Sequence, residues 1–255
     1  MPEYDDIASG LADKLETRVT ITGSRASTSY GDHVAGELAH DSYELDLTPE
    51  RAGWEWSSLR VVALAPGKPL TVPAGEHEYL VLPLSGGCTV QAGSERLEVA
   101  GRESVFTDIT DYVYVPRRTE VTLTSADGAR IALPGSKATT DKPLRYCPRS
   151  EVGTGLRGAG PSSRQVNNYA LGNDVETSHL LACEVLTPGG NWSSYPPHRH
   201  DEDDFPRMTY LEETYYHRMN PKEGFGIQRV FTEDGDLDET MAVYDHDVVL
   251  VPKGH

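Results

Sequence analysis

Two histidines separated by one residue are the clearest candidates for chemistry in this sequence. His198 and His200 lie in the segment NWSSYPPHRHDEDDF (residues 191–205), directly before four acidic residues. Successive side chains of a β-strand point to opposite faces, so both imidazoles would point the same way and could converge on one ion. Neutral imidazole is a good ligand for Zn, Mn, Fe or Ni. The alternative interpretation is a pair of polar residues on an ordinary surface strand.

Further ligands would have to come from neighbouring strands. Glu212 and Glu213 open the next strand, LEETYYHR, and alternation places Glu213, Tyr215 and His217 on one face with Glu212 opposite. We therefore expect Glu213 to be the ligand. His255 follows VLVPKG, and a Pro-x-Gly turn could direct it into a barrel mouth as a fourth ligand. Such a set suits a divalent metal that keeps positions open to water or substrate.

The elements that must position these residues are predicted to be short strands. YELDLT, LRVVALAP and EYLVLPLSGG show strand patterns, and CTVQAGSERLEVAG predicts a hairpin around Ala92 and Gly93. Roughly eight such strands precede residue 136, and a second set begins at RQVNNYAL. We predict an all-β protein of jelly-roll-like barrels.

The chain divides into four predicted regions. Residues 1–40 are expected to be an N-terminal extension, partly mobile. Residues 41–136 are predicted to form a first barrel and residues 165–255 a second, joined by a Gly-, Pro- and Arg-rich connection over residues 137–164. The two halves share a weak internal repeat. The first half has Glu78 but no HxH motif, so we expect its barrel to be metal-free and to serve packing or assembly, with one ion per chain.

Composition limits the possible partners and location. The net charge of −17 over 255 residues disfavours nucleic acid as a partner. Three cysteines far apart in sequence predict no disulfide framework, and no signal peptide or membrane-spanning apolar run is evident. We expect a cytoplasmic protein without membrane or nucleic-acid partners, forming a homo-oligomer.

Several longer strings then resemble a known family. HxH, a glutamate on the next strand and Pro-x-Gly near a histidine resemble the two motifs of the cupin superfamily. LVLPLSG, DYVYVP, CEVLTPGGNWSSYPPHRHDE, LEETYYHR, GIQRVF and VVLVPKGH together resemble the bacterial 5-deoxy-glucuronate isomerase family of inositol catabolism. The similarity runs from about Glu44 to His255. GGNWSSYPPHRHDE is highly specific, whereas LVLPLSG alone would be weak.

The resemblance implies a fold, an activity and a metal. The fold would be a bicupin, with two jelly-roll (double-stranded β-helix) barrels in tandem. The activity would be an aldose–ketose isomerisation of a sugar acid, 5-deoxy-D-glucuronate to 5-dehydro-2-deoxy-D-gluconate, through an enediolate. His198, His200 and Glu213 fall on the metal-ligand positions, and related hexuronate isomerases imply zinc first and manganese second.

The sequence departs from the family at both ends. Residues 1–40 extend beyond the usual family start. Family members usually have an aromatic residue after Pro-x-Gly, then the histidine, then further strands. His255 is therefore either a ligand or the occupant of the aromatic position, and either the sequence is truncated or the second barrel closes in another way.

The reaction also needs a proton carrier and a partner for the substrate carboxylate. Glu212, Tyr215 or Tyr216, or a metal-bound hydroxide, are candidates for the base that moves a proton from C2 to C1. Arg229 is the first candidate for the carboxylate, with Arg218 and Arg157 as others. The competing functions are a 5-keto-4-deoxyuronate isomerase, a non-catalytic sugar-binding cupin and a metal-dependent oxygenase.

Overall fold

The computed structural model describes residues 42–172 and 175–255, and the described chain is almost entirely β-structure. The predicted N-terminal extension, residues 1–40, lies outside the described residues. One short helix, α1, spans Pro49–Ala52, and two 3-10 turns span Arg149–Glu151 and Gly160–Ser162. The all-β prediction is confirmed.

The described residues contain sixteen strands, which are named here in chain order. Their bounds are β1 Leu45–Leu47, β2 Ser57–Leu64, β3 Leu70–Val72, β4 His77–Ala92, β5 Glu95–Arg102, β6 Tyr112–Val115, β7 Val121–Thr124, β8 Ala129–Lys137, β9 Arg145–Cys147, β10 Gly153–Arg157, β11 Arg164–Ala170, β12 Ala182–Leu186, β13 Glu213–Tyr216, β14 Gly226–Phe231, β15 Asp238–Val243 and β16 Val248–Val251.

The chain forms two compact units. The N-terminal unit contains residues 42–43 and 59–195, and the C-terminal unit contains residues 44–58 and 196–255. The segment predicted as a connection, 137–164, contains β9 and β10 within the N-terminal unit. The observed division therefore falls at residue 195. This division reflects which residues form compact units, whereas the predicted boundaries rest on the internal repeat of the sequence. The predicted boundaries therefore stay a prediction.

The N-terminal unit is built around the long strand β4. This strand pairs antiparallel with β5, β6, β7 and β8, while β9 pairs with β6 and β3 with β7. The strands β10, β11 and β12 form a separate antiparallel sheet. The predicted hairpin is confirmed, since Ala92 pairs with Glu95 across a turn that contains Gly93 at φ +55°.

The sequence predicted two strands where the structure has the single strand β4. The residues Gly86 and Gly87 do not end the strand, because the ladder with β5 continues through a register shift between Gly86 and Cys88. A Cβ on Gly87 would lie 2.6 Å from the carbonyl oxygen of Val99. The glycines therefore allow a close approach of two backbones, and the strand bends without breaking.

Two apolar cores stabilise the N-terminal unit, one on each face of β4. Val81 and Val90 belong to the first core, whereas Leu80 and Leu82 belong to the second. Val81 and Leu80 are both 0% exposed, so β4 is buried on both sides.

The C-terminal unit has two antiparallel strand pairs, β13 with β16 and β14 with β15. Its apolar core consists of Val230, Val243, Val249 and Val251. β-Branched side chains such as these suit a pleated surface packed on one face. Among the described residues, no helix is long and apolar enough to cross a membrane.

Candidate metal site

Strand β13 carries the polar side chains of the candidate site on one face. It pairs with β16 so that Glu213 lies opposite Val251 and Tyr215 opposite Val249. The ladder continues past the strand end, because the backbone N–H of His217 donates to the carbonyl of Asp247 at 2.8 Å. Alternation therefore places Glu213, Tyr215 and His217 on one face, as predicted, and this surface is called the inner face below.

Three of the predicted ligands come together at one end of the inner face. The ligand atoms of His198, His200 and Glu213 all lie within 4.8 Å of one another. The Nε2 atom of His200 is 3.8 Å from Oε1 of Glu213, and the two imidazole rings are 5.0 Å apart at 86°. These three residues are called the HHE cluster.

The second nitrogen of His200 fixes its tautomer. Its Nδ1 lies 3.2 Å from the carbonyl oxygen of Thr209, an acceptor only, so Nδ1 carries the proton and donates it. Nε2 is then left with a lone pair toward Glu213. A backbone carbonyl that orients a histidine in this way is a common support for a metal ligand.

Burial makes the HHE cluster a favourable place for a cation. Desolvation raises the pKa of Glu213, and desolvation also lowers the pKa of His200. Both shifts express the cost of charge in a partly buried site, and a bound cation would offset that cost for the carboxylate. Two imidazole nitrogens and one carboxylate oxygen are a donor set that suits Zn, Mn or a related divalent ion. These residues could therefore hold a metal.

Tyr215 lies next to the HHE cluster, as predicted. Its hydroxyl donates to Oε2 of Glu213 at 3.4 Å, and the side chain is 37% exposed. Its ring is stacked with the ring of His217, at 6.3 Å and 16°. The hydroxyl therefore contacts the HHE cluster and is also accessible to a ligand that enters from solvent.

Glu212 has a different environment from the predicted one. Its carboxylate accepts hydrogen bonds from three consecutive backbone N–H groups, those of Glu55 at 2.9 Å, Trp56 at 3.0 Å and Ser57 at 2.8 Å. It precedes Glu213 and faces the opposite side of the strand. Both oxygens bind the backbone of residues 55–57 and form a structural clamp there, and the role of Glu212 as a catalytic base stays a prediction.

Arg229 forms an ion pair with a residue of the neighbouring strand. It alternates with Gln228 on β14 and lies outside the inner face, where its Nε donates to Asp238 at 2.7 Å. Its guanidinium lies 4.4 Å from the ring centre of Phe231. The side chain is exposed and paired with Asp238, and its role as the partner of the substrate carboxylate stays a prediction.

His255 is not in the HHE cluster. Its ring stacks on Phe231 at 4.7 Å and 8°, and its backbone exchanges two hydrogen bonds with that residue. Phe231 shares the outer face with Arg229. Among the described residues, the ligand atoms of three residues come together without His255, and its role as a fourth ligand stays a prediction.

One contact at the far end of the inner face was not predicted from the sequence. Nε2 of His217 lies 2.9 Å from Oε1 of Gln228, so the pair links β13 to β14. Alternation had already placed His217 on this face. The position of Gln228 depends on how β14 packs, and no local pattern in the sequence indicates that.

The family of this chain follows from comparison with known proteins. The KduI/IolB family profile matches residues 33–255. This chain belongs to the KduI/IolB family. Its relatives include the 5-deoxy-glucuronate isomerase of Geobacillus kaustophilus (strain HTA426), 43% identical over 211 residues that cover 82% of this chain and 76% of the relative. The 5-deoxy-glucuronate isomerase of Bacillus subtilis (strain 168) is 37% identical and covers 82% of this chain and 78% of its own length.

A solved structure of an IolB-like protein from Salmonella typhimurium LT2 supports the fold. It aligns with a TM-score of 0.78 and 37% identity, covering 85% of this KduI/IolB chain and 82% of the other. This confirms the cupin-type β-fold and the family resemblance of the sequence.

Proposed function

We propose that this chain is an aldose–ketose isomerase that converts 5-deoxy-D-glucuronate to 5-dehydro-2-deoxy-D-gluconate in inositol catabolism. The observation that carries the proposal is the HHE cluster on the inner face of a KduI/IolB family member. The activity itself is named for the relatives that match about four fifths of this chain.

The proposed cofactor is one divalent metal ion, zinc first and manganese second. His198, His200 and Glu213 would hold it. When bound, such an ion supplies Lewis-acid stabilisation of negative charge on substrate oxygens.

Tyr215 is the proposed proton carrier. The reaction moves a proton from C2 to C1. The hydroxyl on C2 loses its proton and the oxygen on C1 gains one, so no external oxidant or reductant is needed. The Oη atom of Tyr215 would carry a proton between these positions. Glu213 Oε2 accepts the hydrogen of Oη at 3.4 Å, which makes the phenolic oxygen a better proton acceptor.

Apolar side chains beside the inner face would help this chemistry by limiting water. Val249 and Val251 lie opposite Tyr215 and Glu213 and are each 5% exposed. Charge interactions are stronger in such surroundings than in water. The expected cytoplasmic location, homo-oligomeric state and absence of nucleic-acid partners stay predictions.

The test is an isomerase assay combined with elemental analysis. We expect the purified protein to carry one ion per chain and to turn over 5-deoxy-glucuronate, to lose activity on chelation, and to regain it with zinc or manganese. Turnover of 5-keto-4-deoxyuronate in preference would assign the related isomerase. Tight uronate binding without turnover would indicate a sugar-binding protein, and oxygen consumption with iron would indicate an oxygenase. Activity that survives complete chelation would refute the metal role.

A further inference from the structure

The hydrogen-bonded pair His217 and Gln228 lies on the inner face, away from the HHE cluster. The two side chains are partly buried, and their 2.9 Å hydrogen bond joins β13 to β14. Gln228 lies opposite Met241 on β15 and two residues from the buried Val230. The amide nitrogen of Gln228 is not among the buried side-chain atoms that have no partner, so it is open to solvent or to a ligand.

The pair presents hydrogen-bond donors that the protein does not use. The amide oxygen of Gln228 accepts from Nε2 of His217, which leaves both N–H groups of the Gln228 amide. Within residues 42–172 and 175–255, the Nε2 atom of Gln228 has no acceptor. Desolvation lowers the pKa of His217, which keeps the imidazole neutral and suited to fixing the amide. The Gln228 amide thus offers two oriented donors to a ligand.

The spacing fits a short sugar chain between the cluster and this pair. Four residues of strand separate Glu213 from His217, about 13 Å between backbones at roughly 3.3 Å per residue. Five carbon–carbon bonds of ~1.5 Å in a zigzag span about 6 Å. A metal–oxygen bond of about 2 Å at one end and a hydrogen bond of about 3 Å at the other would bring the total to about 11 Å, close to this spacing. Tyr215 lies between the two, with its hydroxyl beside Glu213 and therefore near the carbonyl end of the substrate, where the proton would move.

The arginines of the C-terminal unit that lie near these elements are already paired. Arg218 donates to Asp245 at 2.8 Å, Arg229 to Asp238 at 2.7 Å, and Arg199 lies 3.2 Å from Glu233. Arg229 also alternates with Gln228 on β14, so its side chain points away from the inner face. A carboxylate at the far end would therefore meet neutral donors.

We propose that the Gln228 amide binds the carboxylate end of the substrate and that His217 is the positioning residue that orients it. This rests on the proposed function, which puts a sugar acid at the HHE cluster with its carbonyl end toward the ligands. Two N–H groups toward an anionic oxygen form charge-assisted hydrogen bonds. The pair would select an acid over the neutral sugar of the same length.

The experiment compares an acid and a neutral ligand with Gln228→Leu and Gln228→Glu. The substrates are 5-deoxy-glucuronate and 5-deoxy-glucose, which has a hydroxymethyl group in place of the carboxylate. We expect both variants to raise KM for the acid about tenfold or more, with Gln228→Glu the worse, and to change KM for the neutral sugar less than about threefold. Metal content should equal that of the wild type.

A binding measurement separates this proposal from the proposed function. Calorimetry uses the two ligands reduced to the C1 alcohol, which cannot isomerise, on the metal-loaded protein. If the wild type prefers the acid and Gln228→Leu removes the preference, the inference stands even if no isomerase activity is found. If affinity falls equally for both ligands, or the wild type shows no preference, the inference is wrong.

Two further variants address folding and the competing residue. His217→Asn should reduce the preference for the acid while leaving Gln228 in place, and it serves if a Gln228 variant does not fold. Arg229→Gln tests the residue that the sequence suggested. Loss of the preference in Arg229→Gln, with the preference intact in Gln228→Leu, would overturn the proposal.

Discussion

Each compact unit contains a glutamate whose carboxylate binds three consecutive backbone N–H groups. In the N-terminal unit, Glu78 on β4 accepts from Ser178 at 2.7 Å, His179 at 2.6 Å and Leu180 at 2.7 Å, and from the hydroxyl of Tyr114 at 2.6 Å. Glu78 is 0% exposed. All of its accepting capacity toward the protein is in use, which is how a buried carboxylate is tolerated.

The C-terminal unit performs the same task with Glu212 and adds a second carboxylate. Glu212 binds the N–H groups of residues 55–57, and Glu213 points to the other face, toward His198 and His200. Adjacent residues on a strand face opposite sides. Two neighbouring glutamates therefore separate the structural role from the proposed ligand role, whereas the single Glu78 can serve only the first. A metal-free N-terminal unit stays a prediction, and the contacts of Glu78 give its physical reason.

The two strands also differ in what surrounds them. β4 packs against an apolar core on each face, with Val81 on one side and Leu80 on the other. β13 presents Glu213 and Tyr215 on its inner face. A strand buried between two apolar cores leaves no space for a polar ligand set, whereas β13 has polar groups beside a small valine core.

The first prediction concerns the loss of a proposed metal ligand. His200→Ala should lower activity about a thousandfold or more, since Lewis-acid stabilisation supplies several kcal/mol and each ~1.4 kcal/mol is tenfold. Elemental analysis should show loss of the ion in parallel. The matched control is His77→Ala, next to Glu78 in the N-terminal unit, which should keep its metal. If the ion follows His77, the assignment of the metal to the C-terminal unit is wrong.

The second test removes the clamp of the N-terminal unit. The carboxylate of Glu78 accepts hydrogen bonds from three backbone N–H groups, and in Glu78→Gln an NH2 group would face some of these donors. We expect the variant to lose about 3 kcal/mol in the free energy of unfolding. Denaturant unfolding measures the loss. Glu76→Gln is the control, because Glu76 is an exposed partner of Arg118 and its removal should leave the free energy of unfolding almost unchanged. Equal effects in the two variants would mean that the Glu78 contacts contribute little.

The third test separates the two neighbouring glutamates. Glu212→Gln should cost about 1–2 kcal/mol of stability and keep the metal, because only the clamp of residues 55–57 is weakened. Glu213→Gln should weaken metal binding about a hundredfold or more, and leave the metal-free protein as stable or more stable, since burial raises the pKa of that carboxyl. Titration of metal and denaturant unfolding on both variants give the answer. The reverse order would reassign the ligand.

Much of the fold and part of the site follow from local sequence patterns. Alternation with period two predicted the strands and put Glu213, Tyr215 and His217 on one face, because strand geometry alone determines that. The HxH spacing indicated His198 and His200, but these residues lie outside the strands, so strand alternation is not what brings their rings together. Pattern and chemistry agree at these residues.

The contacts that the sequence did not predict all depend on packing between strands. Glu212 was expected to be a base, but the backbone of residues 55–57, far away in sequence, binds it. Arg229 and His255 had suitable chemistry, and only the packing of β14 shows that both lie near Phe231 on the outer face. Which face of a strand meets a site depends on its neighbours, and a single sequence holds no direct record of them.

The last prediction concerns the pH dependence of the free energy of unfolding, through His217 in the C-terminal unit. Burial lowers the pKa of His217 below its usual 6.5. The unfolded chain therefore binds this proton more readily, so the contribution of His217 to stability is full above about pH 6.5 and declines as the pH falls below it, by at most about 1.4 kcal/mol per pH unit. His217→Asn should remove this part of the slope. Urea unfolding of both metal-free proteins at several pH values between 7.5 and 5.5 measures it, and parallel curves would show that burial of His217 has no cost.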